Sequence, residues 1–174
     1  MPTLIVETGA GLATANSYAT AAEATAYFDA LSTPTAWSSA TTDNKEKALR
    51  MATQWLDTTY GQAWIGARES STQALDWPRT YAYDAAGELL ADVVPSRLKA
   101  ATAELAVKYL QDPTAFQPDV AAGEAGVLEE SVSVGPISTT TRFAGTKTTA
   151  VEYTKVTQLL TSAGLIETGG WARR

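Results

Sequence analysis

Trp64-Ile65-Gly66-Ala67-Arg68 and, shortly after it, Gln73-Ala74-Leu75-Asp76-Trp77-Pro78-Arg79 crowd two tryptophans and two arginines around turn residues between helical segments. Each indole carries a large apolar surface and an N–H that needs a partner, and each guanidinium offers a planar fork for rings or carboxylates. A loop of that composition is costly in water, so it is expected to close a small helical core. The other reading of the arginines is that they face a partner or a nucleic-acid phosphate.

Outward from this loop the pattern is helical. Thr20 and Glu23 have the spacing of a capping box, and Ala24, Tyr27, Phe28 and Leu31 form one apolar stripe before Thr33-Pro34 ends the helix. A second helix is expected from about Asp43, with Glu46 three residues on, through Leu49, Trp55 and Leu56 to Tyr60, where Gly61 would supply a left-handed cap. The stretch from Tyr81 to Leu90 is polar, contains Gly87 and reads as an irregular turn or a short helix. A third helix opens at Pro95, a residue suited to a first turn, carries Leu98, Ala101, Leu105 and Tyr109, and stops at Asp112-Pro113. Val151 to Ala163 is the last, with Gly164 as its cap. The expected core is Tyr27, Phe28, Leu49, Trp55, Leu56, Trp77, Leu98, Leu105, Tyr109, Val156 and Leu159.

Between the last two helices the character changes. Thr114 to Gly126 is Ala, Gly, Pro and acid without periodicity, a linker. Ser131-Val132-Ser133-Val134 alternates, Gly135-Pro136 marks a turn, and Ile137 to Phe143 is β-prone, which predicts a hairpin. Two strands alone are marginal in water, so the hairpin is expected to pair with another copy, a partner, or Leu4-Ile5-Val6. The fold class is therefore mainly α: a small helical bundle with an extended arm containing a β-hairpin. Residues 1–174 read as one domain, with 114–147 the arm and 148–174 the C-terminal helix and tail.

Composition excludes several functions. With 174 residues and 45% apolar content the chain can build one core, and no apolar run reaches the roughly 20 residues of a membrane span. Met1 to Glu7 lacks the basic region of a signal peptide, so synthesis in the cytoplasm and no membrane partner are expected. There is no cysteine and no histidine, which removes disulfides, thiolate chemistry, the usual general base and the commonest metal ligand. The 19 carboxylates are scattered; Asp84, Glu88 and Asp92 recur at spacing four but read as solvated charge. Gly9-Ala10-Gly11 lacks the remainder of a dinucleotide loop. No catalytic residue, metal or cofactor is expected, and a carboxylate-based enzyme is only a third reading.

Charge then separates the binding functions. Asp112, Asp119, Glu124, Glu129 and Glu130 lie between Tyr109 and Thr141 without a single base, and the net charge is −6. That composition opposes a phosphate backbone. Lys45, Lys47 and Arg50 sit together on the second helix, yet Asp43, Glu46 and Asp57 interleave with them and a solvated face is the simpler reading.

The ordered set Leu4-Ile5-Val6-Glu7 with Gly9, Asn16-Ser17-Tyr18, Ala26-Tyr27-Phe28, the two tryptophan motifs, Val94-Pro95 and Ala103-Glu104-Leu105-Ala106 resembles a family of tailed-bacteriophage head–tail adaptors, also called head-completion or connector proteins. The same family often carries the label of a DnaT-like single-stranded-DNA-binding protein. The adaptor resemblance implies a structural virion protein of the neck, assembled in the host cytoplasm. It implies a dodecameric ring of this chain between the portal and a stopper or tail-completion protein, with genomic DNA passing through without specific binding. On that reading Leu165, Ile166, Trp171, Arg173 and Arg174 would meet the portal, Val132, Val134, Ile137 and Phe143 would join subunits, and Asp119, Glu124, Glu129 and Glu130 would line the DNA channel. The alternative is a single-stranded-DNA-binding replication protein, which needs a basic groove and exposed aromatic platforms.

Overall fold

The computed structural model describes residues 2–116, 130–134, 137–141 and 153–167. The helices among them are α1 (Ala21–Asp29), α2 (Thr35–Ser38), α3 (Thr42–Tyr60), α4 (Ser96–Gln111) and α5 (Thr154–Ser162). Two short pairs, β1 (Ala67–Arg68) with β2 (Arg79–Thr80) and β3 (Glu130–Val134) with β4 (Ile137–Thr141), are both antiparallel. The chain divides into two compact units, one of Met1–Pro113 with Tyr153–Arg174 and one of Thr114–Glu152.

The first unit is helix packed on helix. α4 is its centre: α3 lies along it, α5 and the short α1 and α2 pack on it, and α1 also touches α3. Ala100, Ala101, Ala103 and Ala106 on α4 are buried, and such small side chains let neighbouring backbones come close while Leu98 and Leu105 fill the space between. Leu49, Ala52 and Leu56 of α3 and Val156 and Leu160 of α5 complete the core.

Local chemistry explains the ends of these helices. Thr20 accepts from the Glu23 amide at 3.0 Å and Glu23 accepts from the Thr20 amide at 2.8 Å, so the predicted capping box is present. α3 begins earlier than Asp43, because Thr41 is its cap and takes the Asn44 amide at 3.3 Å. Pro95 is the cap of α4 rather than a residue of its first turn. α5 ends on Gly164 at φ +70, with Gly164 N donating to Thr161 O at 2.9 Å and Leu165 N to Leu160 O at 3.0 Å, the paired bonds of a Schellman ending.

Four expectations need correction. Gly61 caps α3 at φ −48, in right-handed space, so its small size serves clearance from the Asp57 carbonyl and not a left-handed turn. α1 is only nine residues long, so Leu31 falls beyond it and is 64% exposed. Tyr27, Trp55 and Leu159 are half-buried, whereas Tyr18, Trp37, Tyr60, Trp64 and Leu165 are core residues that helical periodicity passes over. Leu4-Ile5-Val6 pairs with its own neighbourhood, through a parallel bridge from Val6 to Ser17 and Asn16 N to Ile5 O at 2.8 Å.

In the second unit the predicted hairpin is present. Glu130 stands opposite Thr141, Val132 opposite Thr139 and Val134 opposite Ile137, and the pair forms a two-stranded sheet.

Trp77 has no exposed surface and Trp37 likewise, so truncation to alanine should leave a cavity in either place. Trp77→Ala and Trp37→Ala are each expected to cost about 3–5 kcal/mol in urea unfolding, whereas Leu31→Ala should stay within about 0.5 kcal/mol. Equal midpoints for the three variants would refute this core.

Candidate nucleic-acid interface

The two tryptophan motifs form one wall of the helical unit. Gly66 sits at φ +68 where a Cβ would lie 2.4 Å from the Thr80 carbonyl oxygen, so a side chain has no room. That close approach lets β1 and β2 pair, with Arg68 opposite Arg79. The peptide bond between Trp77 and Pro78 is cis. Gln73 is buried and ties the loop to itself: its carboxamide oxygen accepts from Ser70 N at 2.8 Å and its nitrogen donates to Leu75 O at 2.7 Å and Pro78 O at 3.0 Å.

The arginines of this wall are structural. Arg79 is 7% exposed and its guanidinium donates to the carbonyls of Ile65 at 2.7 Å, Gly66 at 3.0 Å and Asp76 at 3.2 Å. Burial lowers its pKa. Arg68 donates to the Gln73 carbonyl and lies 3.9 Å from Asp76. The fork geometry that suits phosphate is here filled by backbone oxygen.

Beneath the wall lies a buried polar cluster. The Tyr18 hydroxyl donates to Asp57 Oδ1 at 2.5 Å and accepts from the amides of Asp76 at 3.1 Å and Trp77 at 3.2 Å. Asp57 Oδ2 accepts from the Asp76 amide at 3.2 Å. Burial pushes the Asp57 carboxyl up to about 7; the Tyr18 hydrogen bond opposes that and the charge of Asp76 adds to it. Burial, followed by the charge of Asp57, raises Tyr18 well above the usual tyrosine value.

A similar economy governs Gly9-Ala10-Gly11. The amides of Gly9, Gly11 and Leu12 converge as an anion nest, but its occupant is the buried Glu7 carboxylate, at 2.9, 3.0 and 2.8 Å. Asp84, Glu88 and Asp92 do not share a helix; Asp84 caps its own loop by accepting from the amides of Ala86 and Glu88. Among the described residues no group of acids could hold a metal ion.

The cations of the helices differ in what they face. Lys99 pairs with Glu23 at 2.6 Å, Lys155 with Glu104, and Arg50 approaches Glu46 at 4.0 Å. Lys45 and Lys47 instead rest on rings, Lys45 Nζ 5.4 Å from the centre of Trp37 and Lys47 Nζ 6.0 Å from that of Tyr109. Lys108, next to Tyr109 in sequence, is exposed. Lys45, Lys47 and Lys108, like the exposed Arg97 of α4, enter no ion pair among the described residues.

Of the residues tied to the adaptor reading, Leu165 and Ile166 are buried at 1% and 6% exposure, Ile166 bridging to Trp64, so neither offers a surface for a portal. Val132 and Val134 lie in β3, Ile137 in β4, and Glu130 begins β3. Trp171, Arg173, Arg174, Phe143, Asp119, Glu124 and Glu129 lie outside the described residues. Tyr81 and Tyr83 were not singled out from sequence, yet they are the exposed aromatics among the described residues, at 79% and 53%.

The class defined by these features is a small helical domain with a tryptophan-anchored wall and unpaired lysines on α3 and α4. The chain belongs to the family described as "Putative DnaT-like ssDNA binding protein", whose model matches residues 2–173. No curated protein and no solved structure matches it. The family match overturns the neck-adaptor assignment and favours the single-strand alternative. Net charge −6 averages over the whole chain, whereas the potential a phosphate meets is set by charges within a Debye length.

The raised Asp57 carboxyl has a consequence for stability. Its folded pKa of about 7 exceeds the ordinary 3.8, so between those values the folded chain holds the proton that the unfolded chain has lost. Stability from this group is full below about pH 4 and is lost as pH rises to about 7, at up to about 1.4 kcal/mol per pH unit. Urea titrations of wild type and Asp57→Asn across that window should differ in this slope. Parallel profiles would show that Asp57 titrates normally.

Proposed function

We propose that this chain binds single-stranded DNA, through phosphate contacts from Lys45, Lys47 and Lys108. The observation that carries the reading is that Lys45 and Lys47 are held over the rings of Trp37 and Tyr109 and not against carboxylates. A ring face positions an ammonium without neutralising it, so the charge remains for a phosphate oxygen. Lys99, Lys155 and Arg50 face carboxylates that would compete, while Arg97 of α4 is exposed and enters no ion pair among the described residues. The family description supports the same ligand.

Trp37 is fully buried and Tyr109 nearly so, which leaves their rings closed to bases. Recognition by these lysines is therefore of the backbone, tolerant of sequence and modest in strength.

Three lysine contacts to single-stranded DNA correspond to a slope of about −2 in log affinity against log salt, at about −0.7 per phosphate neutralised. Fluorescence anisotropy of a labelled oligo-dT from low to physiological salt should give that slope. Lys45→Gln, Lys47→Gln and Lys108→Gln should each make it shallower by about 0.7. Wild-type affinity and slope in all three variants would exclude these lysines.

A further inference from the structure

The loop after β2 exposes apolar side chains on a braced frame. Asp84 N donates to Glu88 O at 2.9 Å and Leu90 N to Ala82 O at 2.8 Å, the two bonds that flank the antiparallel bridge between Tyr83 and Leu89. In that arrangement Tyr83 and Leu89 are a non-hydrogen-bonded pair, the kind whose side chains stand closest on one face. Both are 53% exposed. Two residues earlier Tyr81 is 79% exposed and holds φ +56, a backbone region that side chains other than glycine seldom adopt. Ala85 N donates to Ala163 O at 3.2 Å, which ties the loop tip to the end of α5. The loop therefore cannot readily collapse to hide its rings.

The charge around these rings has one sign. Asp84 and Glu88 lie between the paired residues, Asp92 follows, and residues 81–96 contain no lysine or arginine. Asp92 and the exposed Glu69 share a hydrogen bond that raises the Glu69 carboxyl, two acids crowded together at the same loop's end. Nucleic acid would meet repulsion here, whereas arginine would find both ring faces and carboxylates.

We propose that the Tyr81–Leu89 loop is a docking surface for a basic peptide segment of another protein, one whose arginines flank an aliphatic or aromatic anchor. The anchor would lie against Tyr83 and Leu89 and the arginines against Tyr81 and Glu88. The surface contains none of the lysines assigned to DNA, so peptide and strand would not compete for it.

The test uses the full chain and a labelled hexapeptide, Arg-Leu-Trp-Arg-Leu-Arg, with its glutamate counterpart in which every arginine is replaced. The basic peptide should bind and the acidic one should not. Because an acidic protein attracts any basic peptide, charge-neutral variants decide: Tyr83→Ser and Leu89→Ser, both at exposed positions, should each weaken binding at least fivefold, and Glu88→Gln about threefold. Oligo-dT affinity should be the same in wild type and all three variants. Basic-peptide binding that is absent, or equal in wild type, Tyr83→Ser and Leu89→Ser, would overturn the proposal. Loss of oligo-dT affinity in Tyr83→Ser would overturn it too, by assigning the ring to base stacking.

Discussion

The hydroxyl of Tyr18 is the point on which the helical unit depends. It donates to Asp57 on α3 and accepts from two consecutive amides, Asp76 and Trp77, at the start of the cis turn. Three pieces of chain far apart in sequence thus share one buried oxygen, and the Tyr18 amide is itself bound to Thr53 Oγ1 of α3 at 3.2 Å. A buried amide without a partner costs about 1–3 kcal/mol, so removing this oxygen would strand two at once. The same contact orients Trp77, whose ring meets Trp64 edge-on at 6.1 Å, and through Trp64 and its bridge to Ile166 it reaches the chain after α5. Core, wall and C-terminal segment are held in register by one side chain.

How much of this could be read in the sequence follows the range of the interaction. The capping box at Thr20, the stop at Asp112-Pro113 and the Gly164 ending were legible because each is a contact within a few residues. The hairpin was legible because the alternation before Gly135-Pro136 and the β-prone residues after it are likewise local signals. Tyr18 and Trp37 lie outside any long apolar period, and their burial is decided by helices distant in sequence. Gly61 misled because a glycine after a helix has two uses, left-handed conformation and clearance, and only the neighbouring Asp57 and Asp76 distinguish them.

The candidate site was harder still. Arginine, aromatic and turn residues in one motif suggest a binding loop, and here the same composition makes a wall. The difference lies in where the donors go: Arg79 meets three carbonyls and Gln73 meets an amide and two carbonyls, all within the loop that carries them. A strand-poor segment has backbone groups that no ladder satisfies, and side chains with several donors can supply what a ladder would. Carboxylate does likewise at Glu7, which fills the nest its own glycines create.

It follows that the residues most distinctive of the chain and the residues free to act are different sets. Arg79, Gln73, Glu7 and Tyr18 have their polar atoms occupied internally, so their types are dictated by the fold. Lys45, Lys47, Tyr81 and Tyr83 have few internal demands: two ammonium groups rest on rings and two phenol rings face solvent. A lysine over a ring keeps its charge open to a second partner, and a tyrosine on a braced loop leaves its ring wet. Chemistry directed at another molecule is found where the fold leaves polar and aromatic groups unfinished, and in this chain that criterion separates unpaired lysines on α3 and α4 from an acidic, tyrosine-bearing loop after β2.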